Sequence, residues 1–363
     1  MAEKKITRRE FVRDSAMAAV GIAAGLAAGA PALGAKETKI LNYNENMEYR
    51  PLGKTGLMAS AVCLGGHWKR VNLMAPSAFK GDDWLGANLN DSDFVKNRDE
   101  VVSRCIELGM NHIDACTIEE VRTYSRALKG RRDKMCLGCS WYQKEMRNDN
   151  FRTKEALLKT LDEGMKDAGL DYVDLWRITM HEQSGNHSKA EVEEMMKALE
   201  AAKKQGKARF TGFSSHDRPH IKWMIETYPE IVDVVVTPYT ANTKELPKDS
   251  LFDTVRKYKV GVFGIKPFAS NSLFKGDSSP TSSTAEEDDK RARWAIRCIL
   301  SNSAVTAPIP GLINTHQVEN VAKAVAERRQ LDAAELRQFD EAVAEMWAKL
   351  PEEYQWLHDW KYV

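Results

Sequence analysis

The sequence predicts one α/β domain, a (β/α)8 TIM barrel preceded by a β-hairpin, and three observations carry that expectation. Eight short apolar runs rich in Val, Ile and Phe alternate with segments of helical period, the pattern of a parallel sheet buried on both faces. No Gly-x-Gly-x-x-Gly turn opens a helix after the first run, and Gly65-Gly66-His67 leads into a loop instead. That disfavours a doubly wound open sheet. A chain of 363 residues, 43% of them hydrophobic, suits one barrel of roughly 250 residues plus insertions. Lys+Arg and Asp+Glu number 53 and 52, so charge gives no reason to expect a nucleic-acid partner.

Residues 1–35 read as a signal segment. Thr7-Arg-Arg-Glu-Phe11 matches a twin-arginine motif, and a small-residue apolar stretch runs from Ala16 to Ala30. Cleavage is expected after Ala32 or Ala35, with the twin-arginine export machinery as partner and the periplasm as destination. The stretch is short beside the about 20 residues of a stable span. No later apolar run is long enough either, so no stable membrane span is expected. Residues 36–46 form a polar linker, and residues 47–363 the barrel.

Tyr49 to Ser60, with Gly53 and Gly56 in its turns, predicts the hairpin. The strands follow at Ala61–Gly66, His112–Cys116, Lys134–Ser140, Val173–Met180, Phe210–Ser215, Asp233–Tyr239, Val260–Pro267 and Ala304–Gly311. Helices are expected near 97–109, 119–129, 154–168, 189–204, 218–226, 249–258 and 289–300, with two more after 314. Two insertions stand out: Trp68 to Lys96 after the first strand, which contains Trp84, and the flexible, Ser-rich Ser270 to Asp289 after the seventh. In a barrel both lie at the mouth, where functional residues gather.

The six cysteines include Cys136-Leu-Gly-Cys139. On a strand that spacing separates the Cα atoms by about 10 Å and points the side chains to opposite faces, beyond disulfide reach. Cys63, Cys105 and Cys298 sit among apolar neighbours and read as small buried hydrophobes, so no cysteine chemistry is expected.

Several ordered segments resemble those of the aldo/keto reductase family: Pro51-Leu-Gly-Lys-Thr-Gly56, Leu64-Gly-Gly-His-Trp68, Asn111-His-Ile-Asp114, Asp171-Tyr-Val-Asp-Leu175, Gly206 to Ser214, Gly264-Ile-Lys-Pro-Phe268 and Ile309 to Glu319. The resemblance spans nearly all of residues 47–345. It implies a barrel that passes hydride between NAD or NADP and a small carbonyl or alcohol substrate. The family's Asp, Tyr, Lys and His stand at the mouth, because a developing alkoxide needs a placed acid. Here Asp114 keeps the Asp position, whereas the Tyr, Lys and His positions hold Glu119, Ser140 and Thr179.

The expected catalytic residues are therefore Asp114, Glu119 and His181, the last two residues beyond the usual His position. Without the lysine, two carboxylates in one cavity raise the pKa of one of them, which makes Glu119 a general-acid candidate. Its alternative role is as a first-turn acid favoured by the helix dipole. His67, Trp68 and Ser140 are expected at the substrate pocket.

For the cofactor, the resemblance implies Ser214 and Ser215 at the amide, Lys266 and Pro267 after the seventh strand, and Gly311, His316 and Gln317 at the phosphates. Val236 and Ile265 replace a Gln and an aromatic ring of the family. Gln317 replaces the Arg that grips the extra phosphate, which favours NAD over NADP. His67, Cys116, Glu119 and His181, all near strand ends, are ligand types that zinc accepts, but no local spacing supports a site and no metal is expected. A non-catalytic nucleotide- or ligand-binding barrel and a metal- or carboxylate-dependent lyase or hydrolase remain as alternatives.

Overall fold

The computed structural model describes residues 40–81, 85–277, 279 and 281–361, and only the backbone of 359–361. The signal segment, its cleavage points, Trp84 and Tyr362 lie outside the described residues. Among the described residues no helix is long and apolar enough to cross a membrane.

The hairpin pairs β1 (Tyr49–Pro51) with β2 (Met58–Ser60) antiparallel. Eight parallel strands follow in sequence order: β3 (Leu64–Gly65), β4 (His112–Ala115), β5 (Cys136–Cys139), β6 (Val173–Thr179), β7 (Ala208–Ser214), β8 (Val234–Pro238), β9 (Gly261–Ile265) and β10 (Ala307–Pro308). The ring closes where Gly65 bridges Gly311 in parallel register. There Cys63 N–H donates to the Pro308 carbonyl (3.1 Å) and Gly65 N–H to that of Pro310 (2.8 Å). The expected barrel is the observed one.

Helices α1 (Ser92–Glu107), α2 (Ile118–Ala127), α3 (Lys154–Ala168), α4 (Lys189–Lys204), α5 (Arg218–Thr227), α6 (Leu251–Tyr258), α7 (Ala285–Leu300) and α8 (Thr315–Ala326) wrap the sheet, and α9 (Ala333–Ala348) packs on α7. Their starts are written in the sequence as N-caps. Thr117, Thr153 and Ser250 accept the N–H three residues on, as does Asn314 at the head of α8.

Inside the ring, Leu175, Val234, Val236, Phe263 and Ile309 form one apolar core, plugged at the bottom by Leu52 of the hairpin. The plug fits because Gly53 turns with φ +54° and a Cβ there would lie 2.3 Å from Gly261 N. His112 also points inward and stacks on Phe263 with centroids 4.4 Å apart. Burial pushes its imidazole down to about 4, so it is neutral. All six cysteines are free.

Candidate active site at the barrel mouth

One cavity of about 540 Å³ runs from Gly65, Asp114 and Arg177 at the strand ends to Gly311, Asn314 and His316 at the start of α8. Both insertions border it, through Lys69, Arg70 and Leu85 on one side and Ser270, Asn271 and Ser279 on the other. The C-terminal tail adds Glu353, Tyr354 and Trp356 to its wall, and the loops after β5 and β7 add Tyr142, Arg147 and His216.

Asp114, at the end of β4, is not left without a cation. Arg177 on β6, two strands away across β5, grips it bidentately, Nε to Oδ1 at 2.7 Å and Nη2 to Oδ2 at 2.5 Å, with both side chains buried. Burial alone lowers the Arg177 pKa, but Asp114, Cys116 and Glu145 together outweigh it and the net shift is upward. The third guanidinium nitrogen, Nη1, donates to Thr179 Oγ1 at 2.9 Å. Thr179 Oγ1 in turn lies 2.7 Å from Ser140 Oγ, which donates to Glu145 Oε2 at 2.5 Å. Glu145, fully buried, also accepts from Trp141 N, Thr179 N and Trp176 Nε1. Burial pushes its carboxyl upward against those hydrogen bonds. The strand-end cluster thus holds one arginine between two carboxylates, the arrangement under which buried charges are tolerated.

Several expectations are corrected by this geometry. The repulsion of Asp114 by Glu119 does not arise, because Arg177 neutralises Asp114. Glu119, the second residue of α2, is partly exposed and accepts from Gln143 Nε2 at 3.3 Å; it does not line the cavity. His181 points to Glu182 and His187 with its side chain 47% exposed, and it too stands off the cavity. Trp68 is buried outside the ring against Phe94 and Tyr124, so packing and not substrate contact fixes it. Ser140 lies behind Thr179 and does not reach the cavity. Ser215 Oγ lies 2.7 Å from Ser184 Oγ and accepts from Asp217 N at 3.0 Å, off the cavity.

His67, Ser214, Lys266, Pro267, Gly311, His316 and Gln317 do line the cavity. His67 Nδ1 lies 2.7 Å from Glu120 Oε1, and Glu120 Oε2 accepts from Cys116 N at 2.7 Å. Glu120 reaches this point because residue 66 is glycine: a Cβ there would lie 2.3 Å from Oε2. Burial pushes His67 down, but Cys116 and Glu120 outweigh it and raise the imidazole to about 10. The sequence did carry a signal for Glu120. Thr117-Ile-Glu-Glu120 is the spacing of a capping box, in which the third helical residue folds back toward the strand.

Lys266 faces the cavity from a left-handed backbone, φ 60°, as do Ser270 and Asn271, a conformation that costs about 1–3 kcal/mol for each such residue and concentrates at functional loops. Its ammonium lies 5.0 Å from the centroid of the Tyr354 ring, and Lys69 Nζ donates to Tyr354 Oη at 2.6 Å. Burial pushes the phenol up, yet Lys266 and Lys69 bring it down to about 8. His216, stacked on Trp356 at 4.3 Å, is pushed down to about 3 by burial.

At the far end, Gln317 Oε1 accepts from Ile313 N and Asn314 Oδ1 from Gln317 N, bracing the first turn of α8. His316 Nε2 is held by Asp289 at 2.7 Å. Arg293 is engaged by Asn320 (2.5 Å) and Glu327 (3.1 Å).

A profile of the aldo/keto reductase family matches residues 85–344. The chain belongs to the aldo/keto reductase family. It is 25% identical over 246 residues to an L-glyceraldehyde 3-phosphate reductase of Escherichia coli, spanning 62% of this chain and 63% of that protein. An L-galactose dehydrogenase of Arabidopsis thaliana is 24% identical over 311 residues, covering 78% of this chain and 90% of the plant enzyme. An aldo-keto reductase from Bacillus halodurans, in its holo form, superposes with a TM-score of 0.58 at 18% identity, over 82% of this chain and 96% of that one. That last likeness speaks for the barrel alone. At the mouth of this barrel the cation that pairs with Asp114 is Arg177.

Proposed function

We propose that the chain is an NAD-dependent oxidoreductase that interconverts a small, polar carbonyl compound and its alcohol, and that it is exported folded through the twin-arginine route to the periplasm with its cofactor aboard. The observation that carries this reading is the single cavity joining the strand-end cluster to the head of α8. A helix start offers backbone N–H groups and the positive end of its dipole, which suits a pyrophosphate. Gly311, Asn314, His316 and Gln317 stand there, with Lys266 farther along the same wall.

The donor set fits the dinucleotide at its phosphate end. It fits NAD better than NADP, because His316 is already paired with Asp289 and Arg293 with Glu327. A second phosphate would meet Asp289 before it met an unengaged cation. At the other end Ser214, Val236 and Ile265 form a mostly apolar bed, which excludes water without gripping an amide on both sides. The nicotinamide, when bound, supplies or accepts the hydride. Arg177 holds its proton throughout and fixes Asp114, so neither is a proton donor. Tyr142, Arg147 and the His216–Trp356 stack line the remaining wall and suit a hydroxylated substrate. Both curated relatives are named for carbohydrate-type substrates.

The test is to purify the full chain, signal intact, from cytoplasm, analyse nucleotide released on denaturation, and titrate with NADH and NADPH by tryptophan fluorescence. Trp356 at the cavity wall is expected to quench with NADH, at several-fold lower concentration than with NADPH. No released nucleotide together with no quenching by either would end the proposal.

A further inference from the structure

The cavity wall holds a cluster that the charge network around Arg177 does not use. His67 at the exit of β3, Cys116 just past β4 and Glu120 at the third position of α2 bring Nδ1, Sγ and a carboxylate oxygen within 4.8 Å of one another. His67 and Cys116 face the cavity, while Glu120 is fully buried behind them. We propose that these three side chains form a mononuclear site for a divalent transition metal of the zinc type, with its fourth position open to the cavity. This deepens the oxidoreductase reading and rests on it only for the metal's role.

Distances, donor chemistry and charge each support the site. Sγ of Cys116 lies 3.6 Å from His67 Nδ1 and 3.7 Å from Nε2, so it stands over the ring and the imidazole turns to aim Nδ1 at a shared ion. With Zn–N and Zn–S bonds of about 2.0–2.1 and 2.3 Å meeting at a tetrahedral angle, the same pair of atoms stands about 3.6 Å apart. The carboxylate, at 2.7 Å from Nδ1, closes the pair as a hydrogen bond and has to open by about 0.7 Å to reach ligand spacing. Oε2 stays anchored on Cys116 N, so Oε1 is the free ligand and its orientation is already fixed, as outer contacts fix metal ligands elsewhere. Thiolate, carboxylate and neutral imidazole balance a divalent cation, and the set is one that zinc accepts. Three protein ligands plus an open position is the composition of a catalytic rather than a structural site.

Its placement, beside the end of β4, gives it a role at the strand ends. The family's acid position, Glu119, points away from the cavity, and Arg177 cannot release a proton. A metal beside the end of β4 would polarise a carbonyl oxygen as a Lewis acid. With both bound, hydride would pass from reduced nicotinamide to the carbonyl carbon, the C=O π pair would move to oxygen, and that oxygen would take a proton from solvent water, which carries the hydroxide away. The oxidised nicotinamide leaves with the charge balanced.

The test uses the full chain with no affinity tag. Metal content by plasma mass spectrometry should approach one equivalent of zinc. After removal with a chelator and reloading with Co(II), the protein should show a thiolate-to-cobalt charge-transfer band and tetrahedral d–d bands. Cys116→Ser should abolish the charge-transfer band, and Glu120→Gln should weaken Co(II) affinity by more than about tenfold. Glu119→Gln, one residue away and off the cavity, should leave both unchanged. Circular dichroism and a thermal melt establish that each variant is folded, and His67→Gln provides a second ligand variant if Glu120→Gln is not. A folded wild type that neither carries metal nor gives a cobalt band overturns the site, as does metal retained undiminished in Cys116→Ser. NADH quenching is read separately, so loss of the cofactor reading and loss of the metal reading are told apart.

Discussion

The two ends of the cavity are held by different physical terms. At the strand ends buried charge is balanced by side chains: the cation that faces Asp114 is Arg177 on β6, while Ser140 stands just past β5. At the head of α8 the backbone is braced by Asn314 and Gln317, and the nearby cationic side chains are tied to Asp289 and Glu327. Inside a barrel a lone carboxylate costs several kcal/mol, so Asp114 depends on its partner. At a solvated helix start the dipole does most of the work, and single side chains matter less.

The sharpest way to break that comparison is to remove the buried cation. Arg177→Met is expected to cost about 3–5 kcal/mol, because it strands Asp114 and leaves Glu145 without a nearby cation. The urea midpoint at neutral pH measures it. Arg177→Met with Asp114→Asn should recover a large part of that loss, a coupling of about 1–3 kcal/mol. A single Arg177 variant that loses under about 1 kcal/mol would mean that charge balance is not what holds the strand ends.

How far the sequence anticipated this differs by region for the same reason. The barrel was legible because burial on both faces leaves a mark on every strand: Val234–Pro238 and Gly261–Ile265 fall within the expected runs. Asp114 and the α8 head were legible from the family's motifs. Arg177 was not, because it lies two residues before the position where the family places its histidine, and only the β4–β5–β6 register shows that it reaches Asp114. Glu145 was hidden similarly, in a loop with no local pattern. Glu119 and Glu120 illustrate the limit of alignment. Position-matching selects the first, whereas helix geometry turns the second inward, as the Thr117 capping pattern implies.

Acid titration separates the bottom of the barrel from its mouth. The His112 imidazole, pushed to about 4 by burial, stays neutral while the unfolded chain takes up a proton near pH 6.5. The unfolded state then binds more protons, so this histidine's contribution is present above pH 6.5 and is lost as pH falls toward 4, about 3 kcal/mol at that limit. Urea midpoints should therefore fall as pH drops from about 6.5 toward 4. His112→Phe should flatten that fall; an unchanged slope would place the loss elsewhere, with His187 and His216 next in line.

At the α8 head a smaller effect is expected. Asp289→Asn releases His316 and removes a negative charge from the groove, so NADPH should bind about fivefold more tightly, roughly 1 kcal/mol, with NADH little changed. Fluorescence titration decides it. Equal responses of the two nucleotides would mean that the Asp289–His316 pair does not set the preference.

The smallest effect is the most telling about the mouth. Glu119 occupies the position of the family's acid, yet it sits on the outer side of the first turn of α2, in contact with Gln143. Glu119→Gln should therefore change stability by no more than about 0.5 kcal/mol, the loss of a first-turn charge from a helix dipole. Turnover on any substrate found, and its pH profile, should stay as in the wild type. Glu120→Gln, one residue on, removes a fully buried carboxylate that holds both His67 and the Cys116 amide, and should alter the pH profile as well as the rate. If instead Glu119→Gln lowers kcat tenfold or more with KM unchanged, Glu119 is the acid of the reaction, and the charge network of the mouth extends beyond Asp114 and Arg177.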